Sequence, residues 1–260
     1  MKGRKSEVII ALDYENSDLA WSFINHLEDS YSISRMDRKT VKPWLKVGMQ
    51  LYYAAGPAFI TDIKEKGYRV FLDLKLHDIP NTVKGAAQSI TQLGVDMFNV
   101  HCSGGSRMME AALEGIDKGL SSRSISSTSS TDATPLLIGV TQLTSTSKAM
   151  MNEEIRIIGE LEDSVLHYAS LTKNSGLSGV VCSPREVELV KSKLGMEFLT
   201  VTPGIRLSKE SQDDQVRIMT HLEAQQVGTD YMVIGRAITQ AEAPLEMYQR
   251  IMKELESGLG

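Results

Sequence analysis

Short apolar runs alternate along the chain with longer stretches of helical period. Val8-Ile9-Ile10-Ala11-Leu12 is the first run, and Asp13 ends it with a carboxylate. A run of that length bounded by polar residues predicts a buried strand. Asn16, Ser17 and Asp18 then offer caps for a helix reaching about Leu27. Trp44 to Gly48 predicts a second strand carrying Lys46, and Gly56-Pro57 opens a helix to about Lys66. Val70 to Leu76 predicts a third strand, and the helix after Pro80 runs to about Leu93. Five more strands are predicted over residues 96–102, 135–141, 179–183, 197–201 and 231–235. Helices are predicted from Gly104-Gly105 to about Lys118, from Ile155 to about Asn174, from Pro184, and from Pro244 to about Leu255. Repeated strand–helix order predicts an α/β fold with a parallel sheet and right-handed crossovers. Eight such units in 260 residues favour a closed (β/α)8 TIM barrel, one domain over residues 1–260.

Two stretches break the rhythm. Residues 121–134 are nearly all serine and threonine. They carry too little apolar area to order themselves and read as a mobile surface insertion. Thr202 to Gln215 opens with Pro203-Gly204 and continues polar. A long polar loop after a seventh barrel strand lies on the catalytic face and reads as a lid.

The third strand carries the chemistry. Side chains in a strand alternate faces, so Asp73 and Lys75 point one way and Leu72, Leu74 and Leu76 the other. Asp78 adds a second carboxylate three residues past the lysine. Such a cluster is costly unless its charges neutralise one another, and clusters of this kind gather at active sites. A register-fixing ion pair is the plainer alternative. The other strand ends favour a site: Asp13, Lys46, Thr144, Arg206 and Gly235-Arg236 all fall at the C-terminal rim, where barrel active sites sit. Gly235 lets backbone approach an anion and Arg236 adds a bidentate fork, a phosphate site that Arg206 and Gln215 could complete. No G-x-G-x-x-G opens the first helix, which weakens a dinucleotide-binding reading.

Composition narrows the class. A net charge of -5 argues against a nucleic-acid partner. Cys102 and Cys182 have no metal or disulfide spacing and are expected to be small buried thiols in a reducing compartment. The basic N-terminus is followed by an apolar run that Asp13 cuts short, so no signal peptide is expected. No apolar run approaches the ~18 residues of a membrane span. The expectation is a soluble cytoplasmic protein.

The stretch from Asp73 to Thr82, D-x-K-x-x-D-I-P-N-T, resembles the signature of the orotidine 5′-phosphate decarboxylase family. The likeness extends in order through Ala11-Leu12-Asp13, Leu45-Lys46-Val47-Gly48, Asn99-Val100-His101, residues 139–145, Thr202 to Arg206, Asp213-Asp214-Gln215 and residues 233–236. The resemblance implies cofactor-free decarboxylation of orotidine 5′-monophosphate to UMP in pyrimidine synthesis, with no metal. It implies a homodimer with shared sites. Lys46, Asp73 and Lys75 would form a charged tetrad with Asp78 from the second subunit. Lys75 would protonate C6, and Thr144 would hold the pyrimidine edge. Asp13, Lys46 and a second-subunit Thr82 would contact the ribose. Gln215, Gly235 and Arg236, with Arg206, would take the phosphate, and Pro203 would line the lid. The Ser/Thr insertion departs from the pattern and touches only a peripheral loop.

Two rival readings remain. A magnesium-dependent sugar-phosphate lyase can share D-x-K-x-x-D, but needs further carboxylates at the metal, and strand four ends in His101-Cys102-Ser103. His101 reads as a structural or hydrogen-bonding residue rather than a ligand. A non-catalytic nucleotide-binding barrel would keep the phosphate grip but has no need of Lys46, Asp73, Lys75 and Asp78 together.

Overall fold

The computed structural model describes residues 5–33, 42–122, 133–207 and 219–258. Eight parallel strands close into a barrel in sequence order, the first pairing with the last. They are Glu7–Leu12, Trp44–Gly48, Arg69–Leu76, Met97–His101, Leu136–Val140, Gly179–Val181, Leu199–Thr202 and Tyr231–Ile234. Helices stand between consecutive strands, as in a (β/α)8 TIM barrel.

Two apolar layers follow from the period of two. Ile9, Ala11, Trp44, Phe71, Met97, Ile138, Leu199, Val201, Tyr231 and Val233 fill the barrel interior. The alternate positions, among them Ile10, Leu45, Val70, Leu72, Phe98 and Leu137, pack outward with helix residues such as Ile24, Ile60, Val83 and Ile116. The interior alternation fixes what reaches the rim. Two residues beyond Ala11, Trp44, Phe71 and Met97 stand Asp13, Lys46, Asp73 and Asn99. The same face that is apolar lower in the barrel is therefore polar at its C-terminal mouth.

The opposite end carries its own ion pairs. Lys191 and Asp230, each 4% exposed, meet at 2.6 Å. The Lys191 ammonium also donates to the carbonyls of Met196 and Phe198, and Asp230 accepts from the Thr200 amide. These extra bonds satisfy charges whose burial would otherwise be costly.

Several element boundaries differ from expectation. The first helix runs past Leu27, over Ser17–Ile33, with the Asn16 side chain accepting from the Leu19 amide at its start. The second, Met49–Glu65, begins about two turns before Gly56; Gly56 (φ 76) breaks it, and the part after Pro57 matches the expected helix. Ile155 to Asn174 is not one helix. Met150–Glu154 forms a π-helical turn and Leu161–Asn174 the true helix. Between them Arg156 (φ 66) and Gly159 (φ 133) take backbone conformations no helix allows. The Asn152 side chain closes that loop by bonding both the N–H and the carbonyl of Gly159.

The Ser/Thr stretch begins later than expected: Ser121 ends the Ser106–Ser121 helix, its hydroxyl bonded to the Asp117 carbonyl. Residues 123–132 lie outside the described residues. The expected lid is bracketed by a short parallel pairing of Ile205–Arg206 with Met219–Thr220. Residues 208–218, including Gln215, lie outside the described residues. Cys102 and Cys182 are buried free thiols, as expected, and burial pushes the Cys102 thiol up to about 12. No described helix is long and apolar enough to cross a membrane.

Candidate active site

A row of alternating charges crosses the barrel mouth. The Lys46 ammonium lies 2.9 Å from Asp13 Oδ1 and 3.7 Å from Asp73 Oδ2. The Lys75 ammonium lies 2.7 Å from Asp73 Oδ1. The order is thus anion, cation, anion, cation across three strands. Lys46 is buried and Asp73 and Lys75 are half-buried, whereas Asp13 is exposed, so solvent screens the two Asp73 contacts less than it would at an open surface. Burial works to raise the Asp73 pKa, but Lys46, Lys75 and the Asn99 amide outweigh it and hold the carboxyl below its ordinary value.

Local backbone makes room for this row. A Cβ at Gly48 would come within 3.2 Å of the Lys46 Nζ, so a side chain there would crowd the ammonium. Asn99, 1% exposed, donates its amide N–H to Asp73 Oδ1 at 2.7 Å. Lys75 itself has φ 52, and the third strand shifts register against the fourth between Leu72 and Leu76. The expected facing of Asp73 and Lys75 toward one side holds, although the backbone that delivers it is not a regular strand. Leu74 and Leu76 still pack against the outer core.

Above the charges lies a cavity of about 780 Å³. Asp13, Lys46, Asp73, Lys75, Thr144, Pro203, Arg206, Gly235 and Arg236 all line it. Of the eleven expected site residues that are described, only Asp78 and Thr82 do not join these nine; both are exposed and off the cavity wall. The Asp78 carboxylate instead accepts from the Ile79 amide at 2.6 Å. Sequence reasoning gave no role to Asn99, nor to Gln142, Tyr14 and Thr239, which belong to the site or its wall. The inward alternation after Met97 was a usable signal for Asn99.

His101 ends the fourth strand near this row, its ring 5.5 Å from that of His77. Burial, His77 and Lys75 push its pKa down, which favours the neutral imidazole. Among the described residues, no three His, Cys, Asp or Glu side chains are grouped to hold a metal ion.

Chemically, the arrangement offers an ammonium fixed beside a carboxylate in a concave, partly water-excluded site. It also offers the guanidinium groups of Arg206 and Arg236 on the wall of the same cavity. Such a site can stabilise an anion developing near Lys75 while holding a distant phosphate.

Comparison with known proteins agrees with that chemistry. The family model described as "Orotidine 5'-phosphate decarboxylase / HUMPS family" matches residues 6–251. A protein of Bacillus cereus named orotidine 5'-phosphate decarboxylase is 49% identical over 249 residues, covering 96% of this chain and 97% of the relative. The crystal structure of orotidine 5'-phosphate decarboxylase from Lactobacillus acidophilus aligns with TM-score 0.77 and 36% identity, over 96% of this chain and 99% of that one. An uncharacterized conserved protein of Geobacillus kaustophilus aligns with TM-score 0.76 and 42% identity, over 95% and 99%. The chain belongs to the orotidine 5′-phosphate decarboxylase / HUMPS family.

Proposed function

We propose that this chain, as one barrel domain over residues 1–260, is a carboxy-lyase of pyrimidine biosynthesis. It decarboxylates orotidine 5′-monophosphate to UMP in the cytoplasm, with no metal or organic cofactor. The observation that carries the reading is the Lys75 ammonium held 2.7 Å from Asp73 beside the cavity. The substrate assignment is supported by the names of relatives that match nearly the whole chain.

The bond between C6 and the carboxyl carbon breaks, and its electron pair stays on C6. Carbon dioxide leaves neutral. Lys75 stabilises the negative charge at C6 and delivers a proton there, and water returns a proton to the amine. Asp73 faces the departing carboxylate. Two unit charges ~3.5 Å apart at an effective dielectric of ~20 repel by roughly 5 kcal/mol, a repulsion that ends as carbon dioxide forms. Lys46 anchors Asp73 and, with Asp13, meets the ribose. Thr144 reads the pyrimidine edge, and Pro203 lines the closing loop. Gly235, Arg236 and Arg206 take the phosphate, with Gln215 from the loop between.

Asp78 and Thr82 join the site from the second copy in a homodimer. Their exposure away from the cavity of their own chain supports that reading.

The family description also leaves room for a metal-dependent sugar-phosphate reaction on the same barrel. The donor set at the mouth favours the first reading, because two lysines are interleaved with the two carboxylates a metal would need. The test is the loss of orotidylate ultraviolet absorbance with purified protein, with and without a chelator. Equal turnover in both is expected. Turnover abolished by the chelator and restored by a divalent cation would contradict it.

A further inference from the structure

The third and fourth strands pair regularly up to Leu72 opposite Phe98 and resume with Leu76 opposite Val100. Between these points Asp73, Leu74 and Lys75 face Asn99 alone. Two extra residues are thus accommodated on the third strand, a bulge of the kind that re-aims side chains. Its sharpest point is Lys75, whose φ of 52 is a left-handed conformation costly for a residue with a Cβ. A conformation of that kind persists only where its surroundings hold it.

Asn99 supplies the hold. Its Oδ1 accepts from the Lys75 backbone N–H at 2.8 Å, and its Nδ2 donates to Asp73 Oδ1 at 2.7 Å. One buried amide therefore grips both ends of the bulge. Asp73 Oδ1 is also the oxygen that meets the Lys75 ammonium. We propose that Asn99 is a positioning residue for decarboxylation, whose single amide locks the bulged backbone of Lys75 and orients the Asp73 carboxylate, so that ammonium and carboxylate face the substrate at fixed separation. The inference rests on the proton-donor reading of Lys75 and adds a residue for which that reading has no role.

The amide is needed as an amide. A carboxylate at position 99 keeps an acceptor for the Lys75 N–H but loses the donor to Asp73. An alanine loses both. The groups facing Asp73 are Lys46 from the second strand, Lys75 on its own strand, and Asn99 and His101 from the fourth, with Asp13 beyond Lys46. Losing the Asn99 donor weakens what holds the Asp73 carboxyl low. Asp73 then takes up a proton at a higher pH as solutions are acidified.

The test compares Asn99→Ala and Asn99→Asp with the parent protein. The readouts are kcat for orotidylate against pH, and the Kd for UMP. Both variants are expected to lose about 10²-fold in kcat, the scale of a small misplacement of reacting groups. UMP affinity should stay within about threefold, since kcat losses without binding losses mark contacts that matter only in the transition state. The acid limb of the pH profile should move to higher pH in both. A kcat within about threefold of the parent overturns the inference. So does a parallel fall of kcat and UMP affinity with the acid limb unmoved, which would make Asn99 ordinary packing. If Asn99→Ala does not fold, the near-isosteric Asn99→Asp decides by the same readouts. Lys75→Ala, measured alongside, separates the two levels: parent-like turnover there overturns the proton-donor reading itself, whereas an inactive Lys75→Ala with a parent-like Asn99→Ala overturns only the present inference.

Discussion

Replacing Lys75 by alanine is expected to lower turnover of orotidylate by about 10⁴-fold or more, the combined scale of a lost proton donor and a lost electrostatic stabiliser. In the proposed mechanism the ammonium has two duties in one step. It faces the carbon on which charge develops, and it carries the proton that ends that charge. No neighbouring group can take both over. Lys46 is the nearest other ammonium, but it is bound between Asp13 and Asp73. The fold should survive. Lys75 stands at the rim rather than in either apolar layer, and Asp73 keeps Lys46 and the Asn99 amide as partners. A stability loss of about 1 kcal/mol is expected, the scale of a partly exposed ion pair. Circular dichroism with a melting curve checks the fold, and the ultraviolet assay checks turnover. Near-parent turnover in a folded variant would remove Lys75 from the chemistry.

The second large effect concerns a part of the substrate that does not react. Orotidine, which lacks the phosphate, is expected to show a kcat/KM about 10³-fold or more below that of the nucleotide. Charge-assisted hydrogen bonds contribute about 1.5–3 kcal/mol each, and Arg206 and Arg236 both line the cavity with Gly235. Two such contacts already reach that scale. Binding energy from a remote group can be used to order the reacting centre, so the loss should fall on kcat as well as KM. Residues 203–206 enter the cavity wall from the loop after the seventh strand, and that loop is the candidate for closure over the phosphate. Equal kcat/KM for nucleoside and nucleotide would undo this argument.

The row Asp13, Lys46, Asp73 and Lys75 was legible in the sequence because strand period carries it. Each polar residue sits two positions beyond an inward apolar one, or two beyond another polar one, and barrel geometry brings such positions to one mouth. The eight strands were legible for the same reason: short apolar runs between helical stretches. What the pattern could not carry were departures from regular backbone. The φ of 52 at Lys75 and the register shift around it depend on the partner strand, which has no local signal at residue 75. The loop at Arg156 and Gly159 interrupts what reads as continuous helix because Asn152, seven residues back, holds it by its side chain. Helix ends such as Ile33 and Ser121 extended past the last clear apolar signal. Asn99 was legible as an inward position two residues beyond Met97, but its role was not, since that role arises from the bulge it faces.

One chain brings three of the four charges of the tetrad to the cavity and leaves Asp78 outside it. In the proposed homodimer, Asp78 of the partner subunit completes the row beside Lys75. Mixing purified Lys75→Ala and Asp78→Ala proteins, each inactive alone, tests it most directly. After subunit exchange, half of the dimers are hybrids, and each hybrid has one site with both residues intact. Recovery of about a quarter of the parent turnover is predicted from that symmetry. Turnover that stays at the level of the two separate variants, with exchange demonstrated, would contradict a shared site.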